Sequence, residues 1–408
     1  MALMSLLGVS FGVLSIMACW IPVFAAALFA RFNSKSGRHL NFGYGKETAA
    51  PFSSLEKFFI AMISFEVLYA VFRTFIKPME SYDSIAIYAL KSKIFYLEGM
   101  IPVNFFKDFA KFVPHIEYPL LIPLAEVQVY TFLGSLNDLL VKIIFPLYYA
   151  ALLTIVFSVI RRSVNRKVSL FFTFLLATIP QVTDFATNGY ADVPFAFYCS
   201  ASFFYLYLWL KDNKNAWLSL SIILSVFAIW TKAEGLLFTM VNAAVAVVFM
   251  VKERRFRPAG AAYFLISLCA VFAYIMGWRA IGLAVNSDFA ATQVPLASKI
   301  ATGLKRIPAI LYEYQIQFFG PKKWNIVWIL FISGFVFGFK KIFSKNIFPA
   351  TLSILFVFAG YSVVYMLSST PRGIGWHLST SGSRLFLHFV PIVVFWMALM
   401  FKELKLDI

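Results

Sequence analysis

The chain has 408 residues, 61% hydrophobic and only 13% charged, with a mean hydropathy of +0.79. A soluble domain is nearer one half apolar and carries about one quarter charged residues, so a water-soluble globule is excluded. The 36 Lys and Arg against 19 Asp and Glu leave a net charge of +17, which in so apolar a chain is a membrane-topology signal and implies no nucleic-acid partner.

In chain order, apolar stretches at 4–30, 57–76, 138–160, 168–182, 193–210, 216–231, 235–251, 259–277, 326–339, 347–367 and 385–401 are each compatible with a spanning helix. The first lacks a basic leader and a cleavage site and reads as a retained span. Eleven spans of about 20 residues leave no room for a large soluble domain. Residues 1–408 are therefore expected to form a single all-α, polytopic membrane domain. Taken alternately, the connecting segments place Arg31, Lys35, Arg38, Lys46, Arg161, Arg162, Arg166, Lys167, Lys211, Lys214, Lys252, Arg254, Arg255, Arg257, Lys340, Lys341, Lys345, Lys402 and Lys405 on one side. By the positive-inside rule that side is cytoplasmic, with the C-terminus, and the N-terminus faces outward. Segments 77–137, 183–192, 232–234, 278–325 and 368–384 share the external face, where the chemistry is expected. Cys19, Cys199 and Cys269 lie in apolar runs without CxxC spacing, which speaks against a disulfide or zinc framework.

Within 77–137, Ile87, Leu90, Ile94 and Leu97 recur at helical spacing beside Lys91 and Lys93, predicting a helix that lies in the interface and ends at Gly99 and Pro102. Glu80 and Asp83 fall at its N-terminus. They are either first-turn acids favoured by the helix dipole or a general base that accepts a proton as bond formation makes it acidic. Lys91, eight residues beyond Asp83, is a candidate phosphate ligand. Arg372, His377, Arg384 and His388 form a second cationic group, and Arg384 and His388, spaced i, i+4, share a helix face. Such cations either snorkel to water or hold an anion such as phosphate, which the Arg fork matches. The segment Ser379 to Ser383 reads as a flexible hydroxyl-rich loop. In His115-Ile116-Glu117-Tyr118-Pro119, the HxE pair falls short of a metal site, so no cofactor is assigned and a divalent metal is the lesser alternative. Asn188 to Pro194 places Asp192 just before a span after a turn at Gly189, and Lys232 and Glu234 stand between two spans. Nucleophile-elbow, P-loop and dinucleotide motifs do not occur.

These pieces in this order resemble the polytopic glycosyltransferases of the GT-C superfamily, in particular bacterial relatives of protein O-mannosyltransferases and of the lipid A aminoarabinose transferase. The resemblance rests on the external acid Asp83 with Glu80, the HIEYPLLIP run at 115–123, NGYADVPFA at 188–196, WTKAEGLL at 230–237 and SRLFLHFVP at 383–391. It covers roughly 80–391 and implies a polyprenyl-phosphate sugar donor, a glycan, lipid or protein acceptor arriving externally, and inverting hexosyl or pentosyl transfer. An acid of the first external loop, Asp83 or Glu80, would be the base. Arg384, Lys232, Lys91, Arg372 and His388 would meet the donor phosphate, and His115, Glu117, Tyr118, Asp192, Glu234 and Trp376 the sugar or acceptor. Such an enzyme would build cell-envelope glycan from the inner (plasma) membrane, its active site on the external or periplasmic face. Three departures stand out: the two acids are separated instead of adjacent, an additional span precedes the loop, and no sizeable C-terminal soluble domain follows.

A transporter or flippase of a lipid-linked or anionic substrate is the rival reading, since charges such as Glu66, Lys232 and Glu234 at membrane depth also mark substrate paths. Internal repeats that would favour it are not visible.

Overall fold

The computed structural model describes residues 1–33, 51–254, 257–283, 296–368 and 372–407. Among these the regular structure is entirely helical. Of the basic residues used to orient the chain, Lys35, Arg38, Lys46 and Arg255 lie outside the described residues.

Each of the eleven apolar stretches contains a helix. Those needed below are α1 (Val13–Asn33), α2 (Ser54–Ile76), α3 (Leu90–Glu98), α4 (Leu121–Leu133), α5 (Ile144–Arg161), α6 (Arg166–Ala177), α7 (Asp192–Asp212), α8 (Asn215–Thr231), α9 (Gly235–Lys252), α10 (Pro258–Ala280), α11 (Leu296–Phe319), α12 (Val327–Phe337), α13 (Phe348–Leu367) and α14 (Gly373–Glu403). Among the described residues seven helices are long and apolar enough to cross a membrane: α2, α5 with its preceding 3₁₀ turn, α7, α9, α10, α13 and α14. α2 opens with a capping box, in which the Ser53 hydroxyl accepts from the Glu56 amide and the Glu56 carboxylate accepts from that of Ser53.

Two expectations are corrected. Stretch 168–182 is not one span: α6 stops at Ala177 and a short helix, Pro180–Phe185, follows. Pro180 lacks an amide hydrogen and drives Ile179 to extended backbone. Twelve residues of α6 rise only about 18 Å, short of the hydrocarbon thickness. The segment before the last span is helical rather than a flexible loop, because α14 already begins at Gly373. The hydroxyls of Ser379, Thr380 and Ser381 donate back to the carbonyls of Trp376 and His377, so they satisfy themselves inside the helix. Segment 278–325 contains the 24-residue α11, tied to the end of α13 by Arg306, which donates to the carbonyls of Tyr365, Met366 and Ser368.

At the centre stand α7, buried along nearly its whole length, and α14, buried from Leu385 to Met400, while α2 and α10 present most of their surface outward, as helices facing lipid do. α7 packs on α5, α8, α9 and α14, and α14 on α6, α11, α12 and α13. Polar bonds join the helices: Ser202 of α7 meets Ser225 of α8 at 2.7 Å and accepts from Asn242 of α9 at 3.0 Å. In hydrocarbon such bonds supply the specificity that hydrophobicity alone does not.

Segment 77–137 folds as its own layer. Residues Asp83–Ala89 form a π-helix that runs directly into α3, which Gly99 ends in the left-handed conformation at φ +66°. Of the expected stripe, Ile87 is buried and Leu90 and Ile94 pack against the core, whereas Leu97 does not. Tyr88, Lys91, Ser92 and Phe95 turn inward and Leu97 points out, so α3 packs against α4 instead of floating on the interface.

Candidate active site

Four segments far apart in sequence converge at one end of α7 and a third of the way along α14: the start of the π-helix, the 188–192 turn, the break between α8 and α9, and residues 384–388. Two glycines permit this. Gly189 sits at φ +84°, and a Cβ there would lie 2.9 Å from that of Ser84, so the turn before α7 presses against the residue beside Asp83. At Gly235, a Cβ would meet the backbone of Ala228 at 2.5 Å, so this glycine allows α9 to start against α8 and hold Lys232 in the bend.

Asp192 is the hub. Fully buried, it receives Nε of Arg384 at 3.2 Å, Nζ of Lys232 at 3.0 Å and Nε2 of His388 at 2.8 Å on one oxygen, and Nη2 of Arg384 at 3.1 Å on the other. A carboxylate removed from water is tolerable when it is so completely paired. The remaining arm of the Arg384 fork, Nη1, donates to Asp83 at 2.7 Å. Lys232 also lies 3.3 Å from Glu234, and Nδ1 of His388 is 2.9 Å from the Tyr361 hydroxyl. The Tyr190 ring supports the Arg384 guanidinium at 4.7 Å, a cation–π contact.

Of the residues singled out in the sequence, Asp83, Arg384, His388, Lys232, Glu234 and Asp192 are thus brought together, but Asp192 lies buried beneath the cations and not on an open binding surface. Glu80 is outside the cluster, half exposed and 3.3 Å from Lys77. Lys91 is turned the other way: its buried ammonium donates to the carbonyls of His115, Ile116 and Tyr118 at 2.9–3.1 Å, so it ties down the HIEYP run and is not placed to meet a phosphate beside Asp83. Burial pulls its pKa down to about 7, opposed by the Glu117 carboxylate. Arg372 stacks on Trp376 at 4.8 Å, apart from the cluster. His115 is 3.5 Å from Glu117 and 4.9 Å from the Tyr118 ring. Among the described residues no group of three His, Cys, Asp or Glu side chains could hold a metal ion.

Sequence reasoning missed Tyr88, Tyr190 and Tyr361. Tyr190 lies inside the NGYADVP segment and was within reach of that motif. Tyr361 and Tyr88 gave no signal in runs already read as apolar or interfacial helix.

No protein-family model and no curated protein matches the sequence. Among solved structures, several share this fold. ArnT from Cupriavidus metallidurans bound to undecaprenyl phosphate superposes with a TM-score of 0.57 at 12% identity, over 85% of this chain and 60% of that one. This chain therefore spans well under the full length of that relative. The Archaeoglobus fulgidus oligosaccharyltransferase is also similar, in its apo form (TM-score 0.49, 10% identity, 85% of this chain and 51% of that one) and as AglB in complex with an inhibitory peptide and a dolichol-phosphate (0.46, 12%, 86% and 51%).

Proposed function

We propose that the chain is an inverting membrane glycosyltransferase that moves a hexosyl or pentosyl group from a polyprenyl-phosphate donor to a glycan, lipid or protein acceptor on the external face of the plasma membrane. The observation that carries this is the Arg384 fork, fixed along one edge by Asp192 and with its outer arm on Asp83. A cation held rigidly by a buried acid is preorganised for an anion, and an accessible acid beside it is placed to take a proton. ArnT, which shares the fold, was solved with a polyprenyl phosphate, and a lipid-borne donor suits a site at the membrane surface.

In this reading an acceptor hydroxyl or amine attacks the anomeric carbon while the bond from that carbon to the phosphate oxygen breaks. The acceptor's proton passes to Asp83, and polyprenyl phosphate leaves with the bonding electrons. Arg384, backed by Lys232, stabilises the negative charge as it grows on the leaving phosphate, where a preorganised cation contributes most. Asp83 is preferred to Glu80 as base because it alone of the two touches Arg384. Glu117, Tyr118, His115, Glu234 and Trp376 remain candidates for sugar or acceptor contact.

The test is reconstitution of the purified protein in proteoliposomes with a panel of polyprenyl-phosphate sugars, alongside comparison of surface glycans and lipids in cells with and without the gene. Sugar transfer or release from at least one donor, abolished in Asp83→Asn, is expected. Counterflow of an anionic substrate with no bond cleavage would replace the reading by transport.

A further inference from the structure

Tyr88 is completely buried, yet its hydroxyl has no hydrogen-bond partner. An unmade bond at a buried hydroxyl is costly, so its position calls for an explanation. The π-helix supplies part of one. Its i→i+5 hydrogen bonding brings residues five apart onto one face, whereas an α-helix turns them about 140° away from each other. Asp83 and Tyr88 are five apart and are the first and sixth residues of this π-helix. Tyr88 feels the charges of Asp192, Arg384 and Asp83, and burial holds its phenol far above the usual range, so it serves as a hydrogen donor at any working pH.

The second observation is the charge balance. Arg384 and Lys232 give +2 against −3 from Asp83, Asp192 and Glu234, so with a neutral His388 the cluster is already −1. A phosphodiester entering this cluster finds no unpaired cation and must compete with an acid for an arm of Arg384. Asp192, enclosed and bound by four donor contacts, cannot leave. Asp83, 19% exposed and held by one arm, can.

We propose that Tyr88 is a positioning residue: when the donor phosphate takes the Nη1 arm of Arg384, the released Asp83 carboxylate moves onto the Tyr88 hydroxyl. The inference rests on the function proposed above. It couples donor binding to release of the base, because the carboxylate displaced from Arg384 is then held by a neutral phenol on one oxygen and presents the other to the acceptor's proton.

A double-mutant cycle on binding of undecaprenyl phosphate to the purified full chain in nanodiscs tests this without knowledge of the sugar. Asp83→Ala should bind about fivefold tighter than the parent, since the phosphate no longer competes for Arg384. Tyr88→Phe, which removes an unpaired hydroxyl and should melt no lower than the parent, should bind about threefold weaker in the native background and equally in the Asp83→Ala background. Equal weakening in both backgrounds, or none in either, overturns the role of Tyr88. Unchanged or weaker binding by Asp83→Ala overturns the displacement. Absence of saturable binding by the parent protein would instead bring down the proposed function itself.

Discussion

Arg384 and Asp192 meet side-on, with Nε and Nη2 of the arginine 3.2 and 3.1 Å from the two carboxylate oxygens, and this pairing of two residues 192 positions apart fixes the direction of the third arm toward Asp83. The fully buried acid is therefore a support for the arginine, and in the proposed reaction the partly exposed Asp83 is the reagent.

Arg384→Ala should lose both functions of the fork. It leaves Asp192 short of two of its four donor contacts in a buried setting, for which removal of one partner typically costs about 3–5 kcal/mol. A clear fall in melting temperature and loss of undecaprenyl phosphate binding are expected together. Arg384→Lys, with a point charge and no fork, should recover only part of the binding. Native-like stability and binding in the Ala variant would reduce Arg384 to a residue snorkelling at the interface.

Asp83→Asn should retain the fold and donor binding but transfer sugar about 10²–10⁴-fold more slowly, the usual consequence of removing a general base. Glu80→Gln should stay within about twofold of the parent, because a half-exposed pair with Lys77 carries little energy. Steady-state rates of the two variants rank the acids. A reversed order would move the base to Glu80, and normal rates in both would remove it from this loop.

The orientation expected from charge is open to direct labelling. In a background with Cys19, Cys199 and Cys269 replaced, Val103→Cys should react with an impermeant thiol reagent added to intact cells, and Val164→Cys should not. Labelling at 164 alone would invert the protein and put Asp83 on the cytoplasmic side.

Glu126 of α4 gives a pH signature. Completely buried, with one oxygen 2.7 Å from the Ser92 hydroxyl and the other unpaired, it is pushed up by burial to about 8, against 4.5 for a free glutamate. Below pH 4.5 it is protonated folded and unfolded alike and contributes no pH dependence. Between 4.5 and 8 the unfolded chain releases the proton and the folded one keeps it, so stability falls as pH rises through that window. Glu126→Gln should abolish this slope and melt higher than the parent at pH 8. Melting curves from pH 5 to 8.5 check it, and parallel curves for the two proteins would contradict the assignment.

Much of this protein was legible in the sequence because bilayer thickness and helical period act locally. The eleven apolar stretches each carry a helix, the i, i+4 spacing put Arg384 and His388 on one face, where both reach Asp192, and the turn at Gly189 preceded α7 as expected. The failures also have local form but distant causes. Leu97 and Lys91 are respectively apolar and charged, yet the lysine is buried, because the carbonyls of His115, Ile116 and Tyr118 offered it three acceptors that no pattern within 83–98 reveals. The residues 379–383 looked like a loop because hydroxyls favour turns, but packing of α14 at the bundle centre and back-bonding to its own carbonyls kept them helical. Composition and periodicity thus determined that the chain is a helical membrane protein with acids and cations at the ends of its spans. Tertiary structure alone decided that Asp83, Asp192, Lys232 and Arg384 share one cluster while Glu80, Lys91 and Arg372 stay out of it. A buried charge must find its counter-charge wherever packing brings one, whatever the separation along the chain.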